Sequence, residues 1–144
     1  MTNMNTKLKG VLLIDDDEPT NFLHKHVLKR TECAEEIFVV NDGKEALEFL
    51  TCTGKYDYLE SFPEIDLILL DINMPRMSGW DFLEEYRKLP ETHKGKIIII
   101  MLTTSLNNQE REKAAKMKEI SGFKNKSLTP NMIQEILDDY FGNN

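Results

Sequence analysis

The sequence predicts a three-layer α/β/α sandwich built on a five-stranded parallel sheet in the order 2-1-3-4-5. Short apolar runs rich in Ile, Leu and Val alternate with amphipathic stretches, which is the pattern of repeated βα units. The runs are apolar throughout instead of at every second residue, as is typical of strands covered on both faces. Right-handed crossovers place helices on both faces of such a sheet, with the first strand central and beside the third.

The individual elements follow in order along the chain. Strands are predicted over residues 10–15, 36–40, 66–71, 96–103 and 120–125. Helices are predicted over residues 19–30, 44–51, 79–89, 107–119 and 130–141. Pro19 and Pro130 suit first-turn positions, where a helix needs no N–H donor.

The helix predicted over residues 107–119 differs from the others. Its first seven residues are all polar, and only Ala114, Ala115 and Met117 offer an apolar face. We therefore expect it to be loosely held. The last helix instead carries a broad apolar stripe at helical spacing, which predicts packing against the sheet.

Residues 51–64 form an unusually long connection between the second helix and the third strand. It carries Tyr56, Tyr58, Leu59 and Phe62. Packing of these side chains over the sheet edge is the simpler interpretation, and docking of a partner protein is the alternative.

Length and composition indicate one domain over residues 10–144, preceded by a disordered tail over residues 1–9. The net charge of -7 opposes attraction to nucleic acid or to anionic lipid, so neither partner is expected. The apolar run at residues 11–14 is too short for a signal-peptide core or a membrane span, which predicts a cytoplasmic protein. Cys33 and Cys52 fit no metal-binding spacing and are expected to be reduced thiols.

Carboxylates follow two strands that the predicted order makes neighbours. Asp15 and Asp16 follow the first strand, and Asp71 follows the third. Because the carboxyl ends of parallel strands meet at one edge, these side chains should share a crevice. Like charges this close require a cation, so the sequence predicts a divalent metal ion there.

The chain resembles the receiver domain of two-component response regulators from residue 12 to about residue 140. The resemblance rests on the three aspartates, on Met74-Pro75 and Gly79 after the third strand, on Thr103 and on Lys126. It implies a flavodoxin-like fold and a stand-alone, chemotaxis-regulator-like protein of phosphorelay signal transduction.

The resemblance also implies the role of each site residue. Asp71 would accept a phosphoryl group from a histidine kinase or a histidine phosphotransfer protein. Asp15, Asp16 and Asp71 would hold Mg²⁺ together with the backbone carbonyl of Asn73, and Mg²⁺ does prefer oxygen ligands. Thr103 and Lys126 would contact the phosphoryl group. Positioning and charge stabilisation supply most of the catalysis of such a transfer.

Further implications concern the lifetime of the phosphorylated form and the output. Asn73 and Ser105 would flank the water that removes the phosphoryl group, so self-dephosphorylation is expected without turnover of an external substrate. Phe123 lies at the aromatic switch position and would move inward as Thr103 shifts. The response would then pass to an unidentified downstream protein through a changed surface around the fourth helix, fifth strand and fifth helix.

Two positions leave choices open. Thr104 is a rival to Thr103, which fits the family pattern better. Ser127 follows Lys126 where the family usually has proline after a cis peptide bond. A cis bond before a non-proline residue costs roughly 3 kcal/mol, so the sequence leaves the isomer undetermined and the reach of Lys126 open.

Two alternative functions are weighed against this interpretation. One is a protein-binding module of the same fold that acts without phosphorylation. The other is a small phosphohydrolase with Asp15 as nucleophile and Asp17 as acid. Asp15 and Asp17 resemble the haloacid dehalogenase motif, but Pro19 stands where that motif requires threonine or valine, and 144 residues leave little room for a substrate cap.

Overall fold

The computed structural model of the chain describes residues 7–94, 96–104 and 107–142, and its strands form one parallel sheet. The strands are β1 (Leu8–Ile14), β2 (Ala34–Val40), β3 (Leu67–Asp71), β4 (Ile98–Thr103) and β5 (Gly122–Asn125). The helices are α1 (Glu18–Thr31), α2 (Gly43–Thr51), α3 (Gly79–Tyr86), the short α4 (Glu91–Lys94), α5 (Asn108–Ala115) and α6 (Pro130–Tyr140). The strand order β2-β1-β3-β4-β5 confirms the predicted fold class.

The register of the sheet determines which residues meet at its carboxyl edge. β1 pairs with β3 so that Ile14 lies opposite Leu70. Asp15 and Asp71 are the next residues of the two strands, so they reach the edge side by side. β4 pairs with β3 on its other side and ends at the same edge with Thr103.

Alternate side chains of the strands enter two apolar layers, one on each face of the sheet. One layer lies against α2 and α3, where Phe82 and Leu83 are fully buried. The other lies against α1 and α6 and includes Leu28, Ile133 and Ile136. Full burial of a side chain of this size stabilises a fold by about 1.5–3 kcal/mol, so the helices are fixed to the sheet mainly by these contacts.

The helices begin where the sequence places their capping residues. The Asp17 side chain accepts a hydrogen bond from the Thr20 N–H at 3.0 Å and starts α1, with Pro19 in the first turn. The Thr129 side chain caps α6 in the same way, with Pro130 in the first turn. Both proline placements confirm the prediction.

α5 is shorter than the predicted range 107–119. Asn107 caps the helix and therefore precedes it. After Ala115 the chain tightens into turns that carry Met117 into the core, and these turns end the helix. Within α5 Ala114 is the one buried residue, in agreement with the polar character of its sequence. The other predicted elements begin and end within three residues of the prediction, and the short α4 was not predicted.

The predicted tail over residues 1–9 is too long. β1 already begins at Leu8, which is 6% exposed and whose N–H donates to the Cys33 carbonyl at 2.8 Å. Lys9 obscured this in the sequence, because a lysine with an outward side chain interrupts the apolar pattern of the strand. Residues 1–6 lie outside the described part of the chain.

The connection over residues 51–64 packs in part on the core. It begins with a 3₁₀ turn over Gly54–Tyr56, and the Tyr56 ring meets the edge of the Phe49 ring at 5.1 Å between centroids. Tyr56 and Leu59 pack against the core, as the simpler interpretation predicted. Tyr58 and Phe62 are instead exposed, by 70% and 47%, and the docking alternative for them stays a prediction.

Cys33 and Cys52 are both free thiols, which confirms the prediction for them. Within the described ranges, none of the helices combines the length and the apolar character needed to cross a membrane.

Candidate functional site

Three aspartates converge at the carboxyl edge of the sheet, as the sequence predicted. One carboxylate oxygen from each of Asp15, Asp16 and Asp71 lies within 4.8 Å of the others. Asp15 and Asp71 are 3% and 2% exposed, whereas Asp16 faces solvent. The crevice therefore has a buried floor of two carboxylates and an open side.

Lys126 partly neutralises the two buried carboxylates. Its Nζ lies 3.2 Å from Asp71 Oδ1 and 3.5 Å from Asp15 Oδ2. Burial and the neighbouring Asp15 raise the pKa of Asp71 to about 6, although Lys126 acts in the opposite direction. Burial alone would lower the pKa of Lys126, but the charges of Asp71 and Asp15 outweigh it and raise that pKa.

Among the residues that the structure describes, two carboxylate oxygens at the site have no hydrogen-bond donor. Asp15 Oδ2 and Asp71 Oδ2 are buried and accept no hydrogen bond within the described residues. A buried polar atom without a partner costs free energy, and a buried charge costs more. Oxygen ligands of this kind are what Mg²⁺ and Mn²⁺ prefer, so the residues present fit a divalent cation.

The loops that carry these side chains are shaped by backbone contacts. The Asp17 N–H donates to Asp15 Oδ1 at 2.9 Å, and the Asn73 N–H makes a longer contact of 3.4 Å to Asp71 Oδ1. A Cβ atom on Gly79 would lie 2.6 Å from the Asp71 carbonyl oxygen, so the start of α3 approaches β3 as closely as only glycine allows.

The backbone brings the predicted phosphoryl-contacting residues together. The Lys126 N–H donates to the Thr103 carbonyl at 3.0 Å, so the ends of β4 and β5 are joined directly. Thr103 is half-buried and Thr104 is exposed, which is consistent with the preference for Thr103. Phe123 is half-buried and packs on the core layer that faces α2 and α3. Ser105, a predicted neighbour of the attacking water, lies outside the described residues.

The peptide bond between Lys126 and Ser127 is trans, as are all the described peptide bonds. The Ser127 N–H donates to Asn125 Oδ1 at 2.8 Å, and the Leu128 N–H donates to the Lys126 carbonyl at 3.0 Å. These contacts close a tight turn from which the Lys126 side chain extends to the two aspartates.

Two buried polar residues of α1 contact the backbone of the site, and neither was predicted to be a site residue. Asn21 Nδ2 donates to the Asp15 carbonyl at 2.8 Å. His24 Nε2 lies 2.7 Å from the Lys126 carbonyl oxygen. Asn21 and His24 are three residues apart, and the buried Leu28 follows four residues later. This spacing places all three on the inward face of α1, and it is the pattern in the sequence that could have indicated that they are buried.

Asp17 has no comparable place in the site. Its side chain is exposed and bonds to Thr20 at the start of α1. Its hydrogen bonds to Thr20 also lower the pKa of Asp17, so it stays ionised. A phosphohydrolase that uses Asp17 as its acid gains no support from this arrangement.

A flavodoxin-like sheet with an acidic crevice and a half-buried lysine at its carboxyl edge defines a class of domains that bind a divalent cation beside a reactive aspartate. A family model described as the response regulator receiver domain matches residues 11–138, and the chain belongs to this family. Receiver domains bind Mg²⁺ or Mn²⁺ at an acidic pocket, and the aspartate cluster is consistent with this.

Individual relatives agree with the family match. The response regulator Rcp1 of Synechocystis sp. is 33% identical over 110 residues, which cover 76% of this chain and 71% of that protein. The crystal structure of a two-component response regulator from Cytophaga hutchinsonii has a TM-score of 0.78 and 30% identity, covering 93% of this chain and 97% of that one. The Mn²⁺-bound form of Rcp1 has a TM-score of 0.72 and 29% identity, covering 90% of this chain and 92% of that one.

Proposed function

We propose that this response regulator accepts a phosphoryl group on Asp71, in a reaction that depends on a divalent cation, and that it signals through a partner protein. The observation that carries the proposal is the position of Asp71. Its carboxylate is buried at the carboxyl edge of the sheet, 3.2 Å from the Lys126 ammonium group and beside two further aspartates. A cytoplasmic location, which the sequence predicts, is part of the proposal.

The proposed donor is the phosphohistidine of a histidine kinase or of a histidine phosphotransfer protein. An Asp71 carboxylate oxygen attacks the phosphorus atom and forms a P–O bond. The P–N bond breaks, and its electron pair leaves with the imidazole nitrogen of the donor. With its pKa raised to about 6, Asp71 is mostly ionised at neutral pH and is therefore able to act as the nucleophile.

Lys126 and Thr103 are proposed to stabilise the product. The Lys126 ammonium group already lies against Asp71, so its charge is in place to offset the phosphoryl oxygens. Its raised pKa keeps it protonated throughout. The Thr103 hydroxyl, at the end of β4, would donate a hydrogen bond to a phosphoryl oxygen.

We assign Mg²⁺ to the carboxylates of Asp15, Asp16 and Asp71 and to the carbonyl of Asn73. When bound, the cation would supply positive charge against the phosphoryl oxygens. The buried oxygens of Asp15 and Asp71 that accept no hydrogen bond from the described part of the chain support this assignment, as does the Mn²⁺-bound form of Rcp1 among the similar structures.

The phosphorylated state is proposed to end by self-dephosphorylation, so that the chain turns over no external substrate. Water would attack the phosphorus atom and break its bond to Asp71, and Asn73 would lie close to that water. While Asp71 is phosphorylated, its changed charge would alter the surface formed by α5, β5 and α6, which are the fourth helix, fifth strand and fifth helix of the prediction. A downstream protein that binds there would receive the signal.

Intact mass after incubation with Mg²⁺ and acetyl phosphate tests the proposal. Wild type should gain one phosphoryl group, whereas Asp71→Asn and wild type in EDTA should gain none. Asp139→Asn removes the same charge from the exposed face of α6 and should be modified like wild type. Absence of the adduct from wild type, while a known receiver is modified in parallel, would favour the phosphorylation-independent binding module.

A further inference from the structure

We propose that His24 is a positioning residue for Lys126. Its Nε2–H donates to the Lys126 carbonyl and fixes the loop from which the lysine reaches Asp71. The proposal rests on the proposed function, in which Lys126 contacts the phosphoryl group.

The hydrogen bond itself is well defined by its geometry. His24 is 5% exposed, and its Nε2 lies 2.7 Å from the carbonyl oxygen of a residue 102 positions later in the chain. A carbonyl oxygen only accepts hydrogen bonds, so the ring carries its proton on Nε2. Burial lowers the pKa of His24 more than the Lys126 carbonyl raises it, so the ring is a neutral donor at neutral pH.

The bond ties the Lys126 loop to a different layer of the protein. The other backbone contacts described for this loop run to Thr103, to Asn125 and within the loop itself. They fix the shape of the turn and attach its backbone to the ends of β4 and β5, while the buried Leu128 side chain packs in the layer against α1 and α6. β5 is four residues long, so the His24 bond adds a support from α1 to a short strand.

Asn21 gives α1 a second attachment at the same site. It lies one turn before His24 and donates to the Asp15 carbonyl at 2.8 Å. The same face of one helix therefore holds the backbone of Asp15 and the backbone of Lys126. α1 therefore holds the backbone of both residues whose side chains form the 3.5 Å contact from Lys126 Nζ to Asp15 Oδ2.

Two variants of His24 separate its hydrogen bond from its bulk. Glutamine and methionine have similar length and shape, but only glutamine offers an N–H near the position of Nε2. A displacement of a reactive group by about 1 Å can cost as much as 100-fold in rate. We expect His24→Met to be phosphorylated about tenfold more slowly than wild type at saturating Mg²⁺, and His24→Gln to be close to wild type.

Three controls identify the path of the effect. His26→Met, on the exposed face of α1, should be phosphorylated at the wild-type rate. Calorimetric titration with Mg²⁺ should show binding to every His24 variant, because the carboxylates assigned to the metal are unchanged. In a Lys126→Ala background, His24→Met should cause no further loss of rate, because His24 acts through the lysine.

The proposal is overturned if glutamine and methionine slow the reaction equally, or if His24→Met lowers the rate further in the Lys126→Ala background. NMR spectra keep this test separate from the proposed function. The His24 ring should show its proton on Nε2, and the amide signals of residues 126–128 should shift further in His24→Met than in His24→Gln, because both variants lose the ring but only methionine loses the hydrogen bond. If wild type accepts no phosphoryl group, the proposed function fails and these spectra still decide the role of His24.

Discussion

Replacing Asp71 by asparagine should stabilise the metal-free protein at neutral pH. The Asp71 carboxylate is 2% exposed, one of its oxygens is buried without a hydrogen bond, and Asp15 adds a like charge beside it. Asparagine has nearly the same shape and removes the charge. It removes the ion pair with Lys126 as well, but the raised pKa shows that this pair does not compensate for burial and repulsion.

The magnitude follows from the pKa of Asp71, which rises from its ordinary 3.8 to about 6. One pKa unit corresponds to about 1.4 kcal/mol, so the ionised group lowers the free energy of unfolding by at most about 3 kcal/mol. The amide group of asparagine recovers only part of this because its own N–H donors need partners. We therefore expect Asp71→Asn to raise the free energy of unfolding by about 1–3 kcal/mol at pH 7.

The sign of the pH dependence is also determined. Because the folded pKa of Asp71 lies above the unfolded value, the folded protein binds this proton more tightly than the unfolded chain does. The stabilisation by the proton is complete below pH 3.8 and is lost as the pH rises through about 6. The gap in the free energy of unfolding between Asp71→Asn and wild type should therefore widen as the pH rises over this range.

Urea unfolding in EDTA, followed by circular dichroism between pH 4 and pH 8, measures this gap. Asp139→Asn is the matched control, because it removes an exposed charge and should leave stability nearly unchanged. Saturating Mg²⁺ should raise the stability of wild type, by about 2.7 kcal/mol at 100 times the dissociation constant, and affect Asp71→Asn less. A metal-free Asp71→Asn less stable than wild type at pH 7, or a gap independent of pH, would refute the reasoning.

Two further substitutions test the surroundings of the site. Gly79→Ala should cost about 1–3 kcal/mol in urea unfolding, because its Cβ would lie 2.6 Å from the Asp71 carbonyl oxygen, and an unchanged stability would contradict this packing. Tyr56→Phe should cost about 1 kcal/mol through loss of the 2.6 Å hydrogen bond from its hydroxyl to Glu45, without changing phosphorylation. Tyr58→Phe, at an exposed ring, is its control, and an equal loss in both would show that the Glu45 bond contributes nothing.

The strands and the carboxyl-edge positions of the aspartates could be predicted from local patterns, and the strand order could be predicted from the common topology of five-stranded sheets of this kind. Continuous apolar runs identify strands that are covered on both faces, and the residue after each run must lie at the carboxyl edge. Asp15 and Asp71 could therefore be placed together without knowledge of any tertiary contact. The register of β1 on β3 agrees with this placement.

Other features depend on partners far along the chain and could not be predicted from local patterns. The bond from His24 to the Lys126 carbonyl joins residues 102 positions apart, and a buried histidine on a helix more often only packs. α5 ends at Ala115 because Met117 turns into the core, which the polar sequence around it does not indicate. Leu8 belongs to β1 because its N–H pairs with Cys33, a contact that the sequence near Leu8 does not reveal.

α1, which follows β1, and α5, which follows β4, differ in how firmly they are held. α1 buries Asn21, His24 and Leu28 and bonds to both loops of the crevice, whereas α5 buries only Ala114. α1 is therefore held by more buried contacts than α5. We expect strain from a new charge at Asp71 to be relieved by movement of α5 more than of α1, and we expect a protein that detects this charge to bind on the α5 side.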